Sequence, residues 1–89
     1  MILPGLIERL GLTSGLKSRE VVTLWPRVVG VPISRKTEAQ DIEAGVLVVN
    51  VRESAWMQEL YFLKPDIIKK LNRELGETIV KDIKFRLRS

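Results

Sequence analysis

The chain lacks both cysteine and histidine. Without cysteine there is no disulfide framework and no thiolate metal site, which fits a reducing compartment. Without histidine the commonest general base, the commonest metal ligand and every Ser-His or Cys-His nucleophile arrangement are excluded. A paired-carboxylate site stays open on composition alone. We therefore predict a non-catalytic protein with no cofactor and no metal, and a small hydrolase or nuclease is the least favoured alternative.

Nucleotide-binding glycine motifs and long apolar runs are also missing. The six glycines form neither a P-loop nor a dinucleotide-binding fingerprint. The longest purely aliphatic run is Val46-Leu47-Val48-Val49, far short of the roughly 20 residues that a membrane span needs. The N-terminus has no basic region and reaches Glu8 early, which is not typical of a signal peptide. We expect a cytoplasmic protein.

The composition is that of an ordinary globular domain. An apolar fraction of 45% and a charged fraction of 29% in 89 residues predict one domain over 1–89, with an N-terminal helix and turn in 1–16 and a core in 18–88. The net charge is +4 and the pI about 9.8. Such a charge fits either an ordinary lysine-rich surface or affinity for a polyanion or an acidic partner. The positions of the basic residues along the chain must distinguish these two explanations.

The first third of the chain predicts helices. The spacing of its first leucines and Ile7 indicates a short helix at about 4–11, followed by a turn through Thr13-Ser14-Gly15. Ser18 is placed to cap a second helix, whose apolar stripe comprises Val21, Val22, Leu24, Trp25, Val28 and Val29. Pro26 predicts a kink or local break. The helix either ends near Gly30 or resumes briefly to about Arg35.

The remainder predicts a hairpin, two helices and a last strand. A polar edge strand over Thr37–Ile42, a turn at Ala44-Gly45 and a strand from Val46 to Arg52 form the hairpin. A helix opening at Ser54 is interrupted at Lys64-Pro65-Asp66, and a second helix ends at Gly76. Ile79–Leu87 is the final strand. This order indicates an α+β two-layer sandwich, with a three-stranded sheet and helices on one face.

The basic residues fall into two groups. Lys69, Lys70 and Arg73 share a helix face, for which an ordinary solvated surface is the simplest explanation. Along the last strand, like charges alternate with apolar residues and repel one another, which favours a nearby anion; these are Lys84, Arg86 and Arg88. Phosphate is a reasonable anion, although acidic strand neighbours such as Glu38 would also neutralise the group. We predict DNA binding through all six residues.

The two tryptophans have different expected roles. Trp56 lies close to Val51 and Leu60 in the sequence and is predicted to be core. Trp25 lies in an apolar stripe as well. The kink expected at Pro26 would leave one ring edge exposed, which makes Trp25 a candidate contact for a partner.

Four blocks, in order, resemble a known bacterial family. They run over about residues 18–88 and read Trp25-Pro26-Arg27-Val28-Val29-Gly30, Ala44-Gly45-Val46-Leu47-Val48-Val49, Ser54-Ala55-Trp56-Met57-Gln58-Glu59-Leu60, and Leu71-Asn72-Arg73-Glu74-Leu75-Gly76 followed by Ile83-Lys84-Phe85-Arg86. Together they resemble the DciA family of replicative helicase loaders. Each block alone is a weak signal, whereas four in register are fairly specific.

The resemblance implies a fold and a function. The fold is a type II KH-like domain, αββααβ, with an additional short N-terminal helix here. The function is a non-catalytic adaptor in DNA replication that binds the DnaB-type replicative helicase and assists its loading onto single-stranded or forked DNA at the nucleoid. No membrane and no small-molecule substrate are implied. For the helicase contact we favour the N-terminal helices around Leu6, Leu10 and Trp25.

Two departures from the expected pattern bear on that function. An RNA-binding KH domain clamps the backbone with a Gly-x-x-Gly loop between its paired helices, yet the corresponding junction here is Phe62-Leu63-Lys64-Pro65-Asp66. Many family members also carry a long basic extension. This chain stops at Ser89, so we expect the folded core to make both contacts. The alternative is a stand-alone KH-like RNA- or DNA-binding protein without a helicase partner.

Overall fold

A computed structural model describes residues 12–88 of the chain, with side chains from Ser18 onward. Three helices, a short 3-10 turn and three strands make up this part. In chain order they are α1 (Leu12–Val29), α2 (Val31–Ser34), β1 (Thr37–Glu43), β2 (Val46–Val51), the 3-10 turn (Ser54–Trp56), α3 (Met57–Leu75) and β3 (Asp82–Leu87). Neither long helix in these residues has an apolar stretch able to cross a membrane.

The strands form one mixed sheet with β2 in the centre. β1 pairs antiparallel with β2, and β3 pairs parallel with β2. The predicted hairpin is confirmed: Ala44 and Gly45 both have positive φ, 52° and 83°, as a two-residue hairpin turn requires. The Gly45 carbonyl accepts hydrogen bonds from the backbone N–H of Lys81 at 2.7 Å and of Asp82 at 3.2 Å. The hairpin turn therefore fixes the point at which β3 starts.

Both long helices pack on one face of the sheet, which confirms the predicted α+β architecture. Alternate residues of β2 and β3 point to this side of the sheet, and all of them except Leu87 are buried. The buried apolar residues are Val21, Trp25, Ala39, Leu47, Val49, Val51, Leu60, Ile67, Leu71, Leu75, Val80, Ile83 and Phe85. Within residues 12–88, no helix covers the opposite face of the sheet.

The first described helix differs from the sequence prediction. It runs unbroken from Leu12 to Val29, through the predicted turn at 13–15, past the predicted cap Ser18 and past Pro26. A glycine in a helix costs only about 1 kcal/mol relative to alanine, which packing of the apolar stripe offsets. The real break is at Gly30, whose φ of 86° and ψ of 167° are open essentially only to glycine. The predicted helix at 4–11 lies outside the described residues.

The predicted interruption at Lys64-Pro65-Asp66 is wrong, because α3 is one continuous helix from Met57 to Leu75. Buried side chains lie on both sides of the proline: Leu60 precedes it, and Ile67 and Leu71 follow it. Pro65 itself is exposed, so the carbonyl it leaves without an intrahelical donor lies on the solvent side. Packing thus holds the two halves of the helix in line.

The last strand begins at Asp82 rather than at Ile79. The side chain of Asn72 explains the difference: its Oδ1 accepts hydrogen bonds from the backbone N–H of Ile79 at 3.0 Å and of Val80 at 2.8 Å. Its Nδ2 also donates to the Val80 carbonyl at 2.9 Å. These backbone groups are bound to α3 and so do not join the sheet.

Candidate nucleic-acid interface

The six basic residues predicted to bind DNA lie on two opposite sides of the molecule. Lys69, Lys70 and Arg73 are exposed on α3, away from the buried stripe that packs on the sheet. Lys84 and Arg86 alternate along β3 with the buried Ile83 and Phe85, so they point to the solvent face of the sheet. The structure therefore separates the two groups, and they form no single surface.

A residue of α1 joins the group on α3. A shallow groove between the two helices is lined by Leu24, Arg27, Val28, Lys70, Arg73 and Glu74. An adjoining depression is lined by Lys69, Asn72, Arg73, Gly76, Glu77 and Thr78. We name Arg27, Lys69, Lys70 and Arg73 the helix cluster. Two carboxylates, those of Glu74 and Glu77, line the same surface, so this surface keeps a net positive charge.

The helix cluster is available to an external anion. Among the side chains that the structure describes, its four cations make no ion pair, and all four are exposed. Side chains from two helices converge here, with the apolar surface of Leu24 and Val28 at the floor of the groove. Converging cations on a partly apolar floor suit a phosphodiester chain, because lysine and arginine bind phosphates while apolar surface contacts the sugars and bases.

The strand cluster, which we define as Lys84, Arg86 and Arg88, has acidic neighbours. In the sheet register, Asp41 and Lys84 flank Val48, and Glu38 and Arg86 flank Asn50. Arg86 Nε also donates to Asn50 Oδ1 at 3.3 Å. β1 and β3 lie about 10 Å apart, so a phosphate chain laid across this face lies close to both strands. The acidic strand therefore offsets much of the field of the strand cluster.

A further negative charge lies at the start of β3 itself. Asp82 accepts a hydrogen bond from Lys64 Nζ at 3.0 Å and another from the backbone N–H of Ile83 at 2.9 Å. The bond from Lys64, and then that from Ile83, holds the pKa of Asp82 below its ordinary value, which keeps this carboxylate ionised. The solvent face of the sheet thus carries mixed charge: Glu38, Asp41 and Glu43 lie beside Arg52, Lys84, Arg86 and Arg88, and Asp82 is paired with Lys64.

The structure places Trp25 in the core, which corrects its prediction as a partner contact. Its side chain is 1% exposed, and Nε1 donates to Thr37 Oγ1 at 2.8 Å. The ring has no surface to offer because α1 continues through Pro26 without the expected break. Trp56, predicted to be core, is partly buried against the core. Leu6 and Leu10 lie outside the described residues.

Sequence reasoning missed three surface residues. Arg27 stands alone among apolar residues in the sequence, and only the packing of α1 on α3 brings it to Lys70 and Arg73. Tyr61 and Phe62 are 50% and 81% exposed on α3. No periodic spacing in the sequence marks Arg27, a single arginine next to a proline. The exposure of Tyr61 and Phe62 can be inferred from helical periodicity once α3 is known to be continuous.

The Gly-x-x-Gly position of a KH domain has no loop here. Phe62, Leu63, Lys64, Pro65 and Asp66 all lie inside α3. Pro65 has no backbone N–H, and those of the other four point along the helix, where they cannot grip a nucleic-acid backbone. This part of α3 can therefore offer a nucleic acid only its side chains.

Comparison with known proteins supports the resemblance seen in the sequence. The family described as "Dna[CI] antecedent, DciA" matches residues 1–85. A UPF0232 protein of Streptomyces coelicolor is 35% identical over 66 residues, 72% of this chain and 35% of that protein. One from Streptomyces avermitilis is 32% identical over 68 residues, 74% of this chain and 38% of that protein.

A UPF0232 protein of Rhodococcus jostii is 24% identical over 78 residues, 88% of this chain and 42% of that protein. The chain thus spans between a third and a half of the length of these relatives. The family match covers nearly the whole chain, in agreement with the order of the four sequence blocks. The chain belongs to the DciA family.

Proposed function

We propose that the protein is a non-catalytic adaptor of DNA replication, which binds the DnaB-type replicative helicase and assists its loading onto DNA. The observation that carries this proposal is membership of the DciA family over residues 1–85. The helix cluster supports the DNA-binding part, because four exposed cations from two helices line one groove surface with a net positive charge. Such a role places the protein with the chromosome in the cytoplasm.

Within this function, we assign the DNA contact to the helix cluster in preference to the strand cluster. A phosphodiester chain brings one negative charge per nucleotide and needs a surface of net positive potential. The helix cluster meets this condition. The strand cluster shares its sheet face with the carboxylates of β1, which repel a continuous phosphate backbone.

The DNA contact is tested by removing equal charge from the two faces. Lys70→Gln with Arg73→Gln is expected to weaken binding to a single-stranded oligonucleotide. It should also lower the slope of log K against log salt by about 1.4, because each lost phosphate contact removes about 0.7. Fluorescence anisotropy over a salt series measures both. The matched control, Lys84→Gln with Arg88→Gln, removes the same charge from the sheet face and should change neither.

Equal losses in both variants would show that only the net charge of +4 attracts DNA. A loss confined to the control would move the site to the sheet. A wild-type affinity that does not vary with salt would exclude electrostatic binding altogether.

The helicase contact is tested by co-elution of the protein with its own organism's replicative helicase on a sizing column. Leu6→Glu with Leu10→Glu is expected to abolish co-elution at micromolar concentration, because a charge placed in an apolar contact with the helicase costs binding free energy. The affinity for DNA should stay unchanged. The Lys70→Gln, Arg73→Gln variant should still co-elute with the helicase but bind DNA more weakly. Retention of co-elution in the N-terminal variant but its loss in Phe62→Ser would move the helicase contact to α3.

The alternative, a stand-alone nucleic-acid-binding protein, predicts that wild-type protein and helicase elute separately while the DNA results above still hold. Persistent separation at micromolar concentration would therefore replace the adaptor by this alternative.

A further inference from the structure

The two edges of the sheet are not equivalent. In the described part of the chain, β1 and β3 each pair on one side only. A bulge at Gln40, between Ala39 and Asp41, interrupts β1. The pairing of β3 with β2 runs without a break from Asp82 to Leu87. Bulges hinder the addition of a further strand, whereas a regular edge is a template for one.

The backbone of β3 offers hydrogen-bonding groups along this open edge. The N–H of Asp82 and of Arg88 bond to carbonyls on the β2 side, those of Gly45 and Val51. By the alternation of a parallel ladder, the N–H and C=O groups of Ile83, Phe85 and Leu87 point outward. Ile83 N–H is already bound by Asp82 Oδ1. Two donors, those of Phe85 and Leu87, remain directed at the open side.

The helix side of this edge carries uncovered apolar surface. Leu87 points to the same side as the buried Ile83 and Phe85, yet it is 54% exposed. Tyr61 of α3 packs edge-to-face on Phe85, with ring centroids 5.3 Å apart, and is 50% exposed. A strand added beside β3 would cover both side chains with its own inward-facing residues.

The solvent side of the same edge carries the strand cluster. Its charges recur at every second residue, about 6.6 Å apart along the strand. Residues on the outward face of an added strand would lie directly beside them, where opposite charges stabilise the pairing and like charges oppose it. The carboxylates of β1 lie about 14 Å from such a strand, and Asp82 is paired with Lys64. The edge therefore specifies an alternating sequence: apolar residues on one face and acidic residues on the other.

We propose that the open edge of β3 binds an extended acidic segment of a partner protein, in which apolar and acidic residues alternate. Backbone bonds to Phe85 and Leu87 supply affinity, and the strand cluster selects the charge. A second copy of the chain fits poorly in an antiparallel β3 pairing, since the positive charges of Lys84, Arg86 and Arg88 would lie beside those of the other copy and repel them. Single-stranded DNA has no peptide groups to complete the edge. The proposal does not depend on the helicase or DNA roles.

The test uses the full chain labelled with ¹⁵N and a capped eight-residue peptide of alternating valine and glutamate. We expect chemical-shift changes and slowed hydrogen exchange at the amides of Phe85 and Leu87, with at least tenfold weaker binding by the valine–lysine analogue. Lys84→Glu with Arg88→Glu should invert this preference; both residues are exposed. The glutamate peptide can be N-methylated either at its valines or at its glutamates. One of these two peptides should no longer bind, because its methyl groups replace the N–H groups that face β3.

Three outcomes would overturn the proposal. The first is the absence of protection at these two amides with either peptide. The second is displacement of the peptide from these amides by an oligothymidylate, which would make the edge a nucleic-acid site. The third is protection of both amides in the free protein that disappears on dilution, which would identify a second copy as the occupant.

Discussion

Replacement of Trp25 by alanine is expected to unfold most of the protein instead of weakening a single contact. The indole is 1% exposed, and its loss leaves a cavity that costs about 3–5 kcal/mol. A small domain has a total stability of about 5–15 kcal/mol, with small chains at the lower end. The indole N–H also donates to Thr37 Oγ1, which in turn donates to the Ile33 carbonyl at 2.8 Å. One side chain thus links α1, α2 and β1.

Urea denaturation followed by circular dichroism measures this loss, and Trp56 remains as a fluorescent probe. Trp25→Phe is the matched control: it keeps most of the ring volume, loses the donor to Thr37, and should cost about 1–2 kcal/mol. A Trp25→Ala protein with an unchanged unfolding midpoint but no helicase binding would contradict the structure. Such a result would restore the prediction, made from the sequence, that Trp25 contacts a partner.

Replacement of Asn72 by alanine is expected to lower the free energy of unfolding by about 2–3 kcal/mol. Its side chain makes three hydrogen bonds with the backbone of Ile79 and Val80, each worth about 1 kcal/mol. These bonds hold Val80, which is buried, below α3 and position the start of β3. The effect should be local as well as global, with faster hydrogen exchange at the amides of Ile79 and Val80.

The neighbouring Arg73→Ala serves as the control, because Arg73 is exposed on the same helix and its loss should change stability by less than about 0.5 kcal/mol. Equal effects of the two substitutions would show that a change common to both, rather than the side-chain bonds of Asn72, sets the loss; helix propensity would act in the opposite direction, because alanine is the best helix former. The exchange rates of Ile79 and Val80 separate these explanations, since only the loss of the bonds accelerates those two amides.

The sequence predicted most of the elements because their signals are local. Turn residues at 44–45 and the glycine at 76 define the hairpin and the end of α3, and both are confirmed. The errors arose where tertiary packing overrides a local signal. Pro26 and Pro65 each lie within a helix, because buried or partly buried apolar residues on both sides of each proline hold that helix against the core.

The candidate site was only partly predictable for a similar reason. The exposed cations of α3 and the alternation along β3 follow from helical and strand periodicity. Arg27 does not, since its proximity to Lys70 and Arg73 depends on how α1 crosses α3. The acidic character of β1 was visible in the sequence, but its position one strand away from the strand cluster required the sheet order. Periodicity places a residue on a face, and only topology places two faces together.

The parallel pairing of β2 with β3 also affects the chain during translation. β2 is the apolar segment Val46-Leu47-Val48-Val49-Asn50-Val51, with no charge, proline or glycine, a composition typical of segments that aggregate. Its second edge is covered only after residues 82–87 have left the ribosome, since α3 packs on the face of the sheet and not on that edge. A nascent chain stalled or truncated within α3 therefore exposes an aggregation-prone strand edge, and pairing with β3 after synthesis is complete covers this edge.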